Sequence, residues 1–347
     1  MICQSAGFDG KRESNWSWTN FSQEVSFTAE QYFEPQHTSP SGPPDGLQQL
    51  VHVVALATSK NKPLRVLGSG WGYEDIAQSD SWLINLNQLK RRLNHVVPAA
   101  LTDQWNRKQG DPAADTQLVH VEAGIKIIDL IEMLDAAGLA MPTLGGANGQ
   151  NLAGAISTST HGGDWAQPPL PDVIRAIHLV TDGGRELWIE RASESITTNE
   201  RLKPVLTCPS TEIVRNDSIF DAVLVSVGRF GVIYSFVLEV RRAFRVVEVV
   251  TKVAAPTGAV TPDADDLFRA LQESVKRPIN PFDPLFDLLS TTNPPPNLTE
   301  ANGVIRSDKP YFFQLAWNSV NPLESDCYVQ RRWITSVEHD LNAPVFD

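Results

Sequence analysis

Two glycine-rich stretches hold the residues whose types and spacing could do chemistry. The first is Gly68-Ser69-Gly70-Trp71-Gly72. The second runs from Leu144 to Gly163 and carries Gly145, Gly146, Asn151, Gly154, the hydroxyl run Ser157-Thr158-Ser159-Thr160, His161 and Gly162. Nothing in either stretch is bulky enough to build a core. Both can expose backbone N–H groups, let main chain approach a ligand closely and supply short hydroxyl donors. That chemistry suits a phosphorylated, planar cofactor. A tightly packed small-residue turn or helix contact fits the same composition.

Common cofactor and catalytic templates fail. A dinucleotide fingerprint needs a third glycine at residue 73, where Tyr73 stands, and the polar stretch after it does not open a helix. There is no Gly-Lys-Ser/Thr phosphate loop, no His-Glu-x-x-His zinc spacing and no Gly-x-Ser-x-Gly elbow, and the seven histidines are scattered. A lone histidine such as His161 is more often a packed or capping residue than a base. Trp165 and Trp188 read as packing residues, and Asp164 and Asp172 as solvated loop carboxylates.

The elements that must position the two stretches can be read from periodicity. Leu47, Leu50, Val51 and Val54 follow the spacing of an amphipathic helix. After Pro63, Leu64–Leu67 reads as a short buried strand that runs into the first glycine cluster. Trp82–Leu86 is a further strand, 102–116 a hydrophilic insertion, and Leu118–Ala123 a strand. Ile127, Ile128, Ile131 and Leu134 outline a helix that ends at Gly138. Ala176–Thr181 and Glu186–Glu190 flank Asp182-Gly183-Gly184-Arg185 as a hairpin. A long strand ends near Val240. Strands interleaved with helices, plus a hairpin, predict an α+β body.

The flanks differ in character. Residues 1–45 are polar and turn-rich, with Trp16, Trp18 and Phe21 as anchors. A boundary falls at about 244. Beyond it come a strand over Phe244–Val253, a helix opened by Thr261-Pro262, an irregular Pro-rich segment at 278–296, a strand with Tyr311, Phe313, Leu315 and Trp317 on one face, and a last short helix over 329–341.

With 347 residues there is room for two or three domains. A net charge of −12 and the lack of a basic run argue against a nucleic-acid partner. Cys3, Cys208 and Cys327 draw no disulfide framework and no metal knuckle. No secretory signal and no membrane-length apolar run are visible, which gives the expectation of a cytoplasmic protein. The Asn-x-Ser/Thr sequons at Asn15, Asn20, Asn216 and Asn297 matter only in a secreted chain.

Four pieces in this order resemble one family. Residues 46–243 are similar to the FAD-binding domain of the vanillyl-alcohol oxidase/p-cresol methylhydroxylase (PCMH-type) superfamily, with sugar-lactone and alditol oxidases nearest in look. The pieces are Arg65–Gly72, Leu144–Gly162, Val227–Ile233 and the upstream Trp18-Thr19-Asn20-Phe21. The resemblance implies a fold of two α/β subdomains over 46–243, preceded by an N-terminal extension (1–45) and followed by a partial α+β substrate or cap domain (244–347). It implies FAD as cofactor and a small-molecule substrate oxidised at a CH–OH group of a polyol, sugar or lactone, with electrons passed to O2 or another acceptor. Gly68, Ser69, Gly70, Trp71 and Gly72 would cradle the pyrophosphate. Gly145, Gly146, Asn151 and Gly154 would line its second side, and Ser157, Thr158, Ser159, Thr160, His161 and Gly162 the ribityl and flavin portions. Val232 and Ile233 would add main-chain contacts.

Two departures qualify this. Many relatives bond the flavin through a His where Trp71 stands, and no Cys lies in the second loop, so non-covalent FAD is expected. Relatives also carry a complete substrate domain and a returning C-terminal segment with active-site side chains, whereas this sequence stops at Asp347. The alternative reading is a truncated, non-catalytic flavin-binding protein. No residue can be defended as the catalytic base.

Overall fold

The computed structural model of the chain describes residues 7–39, 45–111, 114–164, 167–253, 310–316 and 326–335. Two compact units form, one from residues 1–162 and 168–242, the other from 163–167 and 243–347.

The first unit opens with a hairpin, β1 (Lys11–Thr19) and β2 (Ser26–Glu34). The sequence reading took this region as turns. Its polar residues lie on an edge strand whose outer positions are solvated, so apolar alternation is muted in β1. Helix α1 (Gly46–Ser59) then buries Leu47, Leu50, Val51, Val54 and Ala57, the stripe its spacing predicts. It stops at Lys60 and Asn61, the latter at φ 50, ahead of Pro63. Strands β3 (Leu64–Leu67) and β4 (Trp82–Asn85) complete a four-stranded sheet in the order β1-β2-β4-β3. Leu64 and Val66 pack toward α1 with Trp82 and Ile84, while Leu67 packs on the other face with Leu83, Trp16 and Trp18.

The larger sheet is built from β5 (Arg92–Leu93), β6 (Thr116–Glu122), β7 (Leu139–Ala140), β8 (Ile174–Thr181), β9 (Arg185–Glu190), β10 (Glu212–Arg215) and β11 (Val232–Arg242). Its order is β10-β9-β8-β11-β6-β5, with β7 also paired to β11. The predicted hairpin is the β8–β9 connection, where Gly183 and Gly184 take φ of 73° and 78°. Between strands lie α2 (Asp103–Gly110), α3 (Ile127–Asp135), α4 (Leu152–Ser157), α5 (Asn199–Leu202) and α6 (Asp217–Leu224). Helix α2 occupies the stretch read as a hydrophilic insertion. It lacks a continuous apolar stripe, the signal that reading relied on. Helix α3 ends as expected, with Gly138 at φ 67.

Cys208 is disulfide-bonded, which corrects the reading that no pair could be drawn. Pairing between distant cysteines is a property of the fold and leaves no spacing signature.

The second unit contains a three-stranded sheet, β12 (Arg245–Val253), β13 (Phe312–Ala316) and β14 (Cys327–Thr335), in the order β12-β14-β13. Strand β14 corrects the expected helix over 329–341 within its described part. Val329 and Trp333, both 1% exposed, are four apart and fit either a helix stripe or alternate positions on one strand face. Pairing on both sides, with β12 and β13, selects the strand. Trp317, the helix expected after Thr261-Pro262 and the Pro-rich segment 278–296 lie outside the described residues.

Candidate functional site: a glycine-walled cavity

Strand β3 delivers the chain into the first glycine loop, and α4 lies within the second glycine-rich stretch. Both loops face one cavity of about 360 Å³ in the first unit. Its wall includes Gly68, Ser69, Gly70, Trp71 and Gly72 from the first loop, and Asn151, Gly154, Ser157, Thr158 and Thr160 from the second, with Ile233 on β11. A Cβ added at Gly154 would meet nothing within 4 Å, and one at Gly68 only Asn151 Oδ1 at 3.6 Å. Backbone there borders open space, a cradle that side chains would fill.

Other expected residues lie elsewhere. Gly145, Gly146, Ser159, His161, Gly162 and Val232 are not part of the cavity wall. At Gly145 a Cβ would come 2.7 Å from Thr160 Cγ2, so this glycine serves close packing of the loop on itself. Exposed His161 pairs its Nδ1 with the carbonyl of Gly162 at 2.9 Å. Ser159 sits in the turn after α4 at φ 57. Val232 and Ile233 were expected to act together, but strand alternation sends them to opposite faces of β11. Val232 joins the core under α1, and only Ile233 reaches the cavity.

Asn151 ties the site together. The Ser69 hydroxyl donates to its Oδ1, and its Nδ2 donates to the carbonyl of Gly124 and to Asn87 Oδ1 at 2.9 Å. The side chain, with the residue only 5% exposed, is spent on holding the two loops and the β6–α3 turn together. Asn151 therefore positions the wall.

Several wall residues were not among the expected contacts, although all but Gly124 lie in stretches that the sequence reading singled out. Gly124 lines the cavity, and a Cβ there would fall 1.8 Å from the Leu86 carbonyl oxygen. Val227, a β-branched residue at φ 54, and Gly228 at φ 72 form another edge. Among the described lining residues Arg65 is the only cation and Glu74 the only carboxylate. A signal for Arg65 was present: alternation in β3 sets it opposite the half-buried Leu64 and Val66, which pack toward α1. Trp18 enters from the hairpin, its indole against Gly70. A wall of peptide groups, hydroxyls, one guanidinium and one exposed carboxylate, with apolar flanks at Leu86, Ala123, Ala153 and Ala155, fits an elongated, phosphorylated, ring-bearing group.

No group of His, Cys, Asp and Glu among the described residues could hold a metal ion. None of their helices is long and apolar enough to cross a membrane, which says nothing of β-barrels.

The cavity has the lining and size to take part of an elongated, phosphorylated cofactor, and the comparisons with known proteins name one. Residues 44–190 match the FAD binding domain family. The L-gulonolactone oxidase of Scyliorhinus torazame is 28% identical over 240 residues, 69% of this chain and 42% of that protein. The D-arabinono-1,4-lactone oxidase of Yarrowia lipolytica is 28% identical over 205 residues, 58% of this chain and 32% of that one. A cholesterol oxidase structure from B. sterolicum superposes with a TM-score of 0.57 at 13% identity, over 95% of this chain and 49% of that one, a likeness of fold. The chain thus spans well under half the length of these curated relatives. Residues 44–190 form an FAD binding domain, and the chain is similar to FAD-linked sugar-lactone oxidases.

Proposed function

We infer that the chain is the cofactor-binding part of an oxidoreductase that oxidises a hydroxyl-bearing carbon of a sugar lactone or a related sugar or polyol. The observation that carries this reading is the convergence of two glycine loops, far apart in sequence, on one backbone-walled cavity. Bound flavin supplies the acceptance of a hydride equivalent and hands the electrons to O2 or another acceptor. The residues of this chain do the rest. N–H groups of the Gly68–Gly72 loop and the Arg65 guanidinium offset anionic charge. Ser157, Thr158 and Thr160 offer hydroxyls, and Ile233 and the alanines exclude water. No His or Cys stands in the wall among the described residues, and an indole does not make the nitrogen–carbon link available to a histidine, so the cofactor is held non-covalently.

A second reading, a flavin-binding chain without turnover, is favoured by one observation: among the described residues exposed Glu74 is the only carboxylate of the wall, and no histidine accompanies it as a base. The experiment loads the chain with FAD, precipitates it with acid and then challenges a second loaded sample anaerobically with aldonolactones, aldoses and polyols. All flavin should appear in the acid supernatant, and a fluorescent pellet would contradict non-covalent binding. Bleaching of the flavin by a lactone supports the oxidoreductase reading. Bound flavin that no compound bleaches supports the second.

A further inference from the structure

The loop Gly68–Gly72 is held from outside the matched family domain. Residues 70–72 are each gripped by the turn between β1 and β2, which precedes residue 44. Asn20, 4% exposed, uses its side chain in two directions. Its Oδ1 accepts from the N–H groups of Glu24 (3.0 Å) and Val25 (3.1 Å), which shapes the turn. Its Nδ2 donates to Ser22 Oγ at 2.9 Å and, reaching 52 residues along the chain, to the Gly72 carbonyl at 3.0 Å. Beside it the Phe21 N–H donates to the Gly70 carbonyl at 3.1 Å. The Phe21 ring stacks on Trp71 at 4.9 Å, and Trp18 packs against Gly70, whose φ is 72.

A trans peptide is planar, with its C=O and the following N–H pointing in opposite directions. Fixing the Gly70 and Gly72 carbonyls on the hairpin therefore turns the N–H groups of Trp71 and Tyr73 away from it. Both residues line the cavity, and neither N–H has a partner among the described residues. We propose that the β1–β2 turn is part of the FAD site and that Asn20 is a positioning residue, which orients loop N–H donors by holding the Gly72 carbonyl. The proposal rests on the assignment of the cavity to FAD.

Two variants separate this role from a purely structural one. Asn20→Ala removes all four side-chain bonds. Asn20→Asp keeps both acceptor bonds that shape the turn but cannot donate to Gly72. Thr19→Ala, which removes only an exposed cross-strand contact with Ser26, is the control. FAD dissociation constants come from quenching of flavin fluorescence, alongside unfolding temperatures of the cofactor-free chains. Both Asn20 variants should bind FAD about tenfold more weakly, as expected for one lost hydrogen bond and a loosened loop, while Thr19→Ala keeps the parental constant. The loss in the uncharged Ala variant shows that charge repulsion in the Asp variant is not its cause. A lowered unfolding temperature with parental FAD affinity in either folded Asn20 variant would overturn the proposal. A parent chain that binds no FAD at all would overturn the cofactor assignment, and this proposal with it.

Discussion

Around the cavity the polar groups include peptide N–H and C=O, short hydroxyls, the Gln150 and Asn151 amides, the Arg65 guanidinium and the Glu74 carboxylate. Inside the seven-stranded sheet the same unit buries His120, His178, Glu122, Glu186, Glu190 and Ser235, none of which reaches the cavity. There His120 Nε2 pairs with Ser235 Oγ at 2.9 Å, and His178 Nε2 with Glu186 at 3.1 Å. Glu122 accepts from the Arg91 N–H (2.8 Å) and the Tyr234 hydroxyl (3.0 Å), and pairs with His37 at 3.0 Å. Burial and neighbouring imidazoles hold His120 well below its ordinary range, and burial with the charge of His178 lowers His95 to about 4. A search for strongly perturbed acids and bases in this unit thus leads to the polar layer. The candidate cofactor site is instead recognised from backbone exposure.

The comparison breaks most sharply at Glu190. This carboxylate is fully buried and accepts from Trp188 Nε1 at 2.6 Å, from the Ile196 N–H at 3.0 Å and from the Thr197 hydroxyl, with Arg215 at 3.6 Å. Glu190→Ala strands these donors, at a cost of about 3–5 kcal/mol in urea unfolding. FAD affinity of the surviving folded protein should be unchanged. A chain that stays as stable as the parent would show that the layer is not structural.

Gly70→Val is the converse. It forces a β-branched residue to a φ of 72 and drives Cβ to 2.3 Å from Trp18 Cζ2. Strain of about 1–3 kcal/mol should appear as roughly ten- to hundredfold weaker FAD binding, with the seven-stranded sheet intact by hydrogen exchange. Parental affinity would remove the first loop from the site.

Acid separates the two regions without mutation. A histidine whose folded pKa is depressed stays neutral while the unfolded chain takes up a proton. For His95 the window runs from 6.5, its ordinary value, down to about 4. Stability is therefore full above pH 6.5 and falls as the pH drops through that window. His120→Asn, which removes one such group, should flatten the fall measured by thermal unfolding between pH 7 and 4. An unchanged slope would assign the acid sensitivity to other groups.

Legibility followed the same divide. The glycine loops could be read because their role depends on residue types within one short stretch. Members of the polar layer looked like scattered histidines and carboxylates, since pairing of β6, β8, β9 and β11, and no sequence interval, brings them together. Strand β1 was hidden by its solvated face. Strand β14 was hidden because Val329 and Trp333 fit two periods at once. Helix α2 is polar overall, and its Lys108 ammonium lies over the Trp105 ring at 4.4 Å. For Asn20 the motif was visible, but its hold on Gly72 needed the fold.

The smallest expected effect is the most discriminating. Gly146 sits in the second loop and looks in sequence as exposed to the cofactor as Gly70. In the fold it lies off the cavity wall, it is not among the positive-φ glycines, and a Cβ there would meet nothing within 4 Å. A valine at that position has neither strain nor a clash to overcome. Gly146→Val should leave stability within about 0.5 kcal/mol of the parent and FAD affinity within about twofold. A loss comparable to that of Gly70→Val would mean that bound FAD extends past the cavity to reach Gly146, placing the front of the second loop in direct contact with the cofactor. Parental behaviour confines the second loop's contribution to Gln150–Thr160, where Asn151 and α4 hold it against the first.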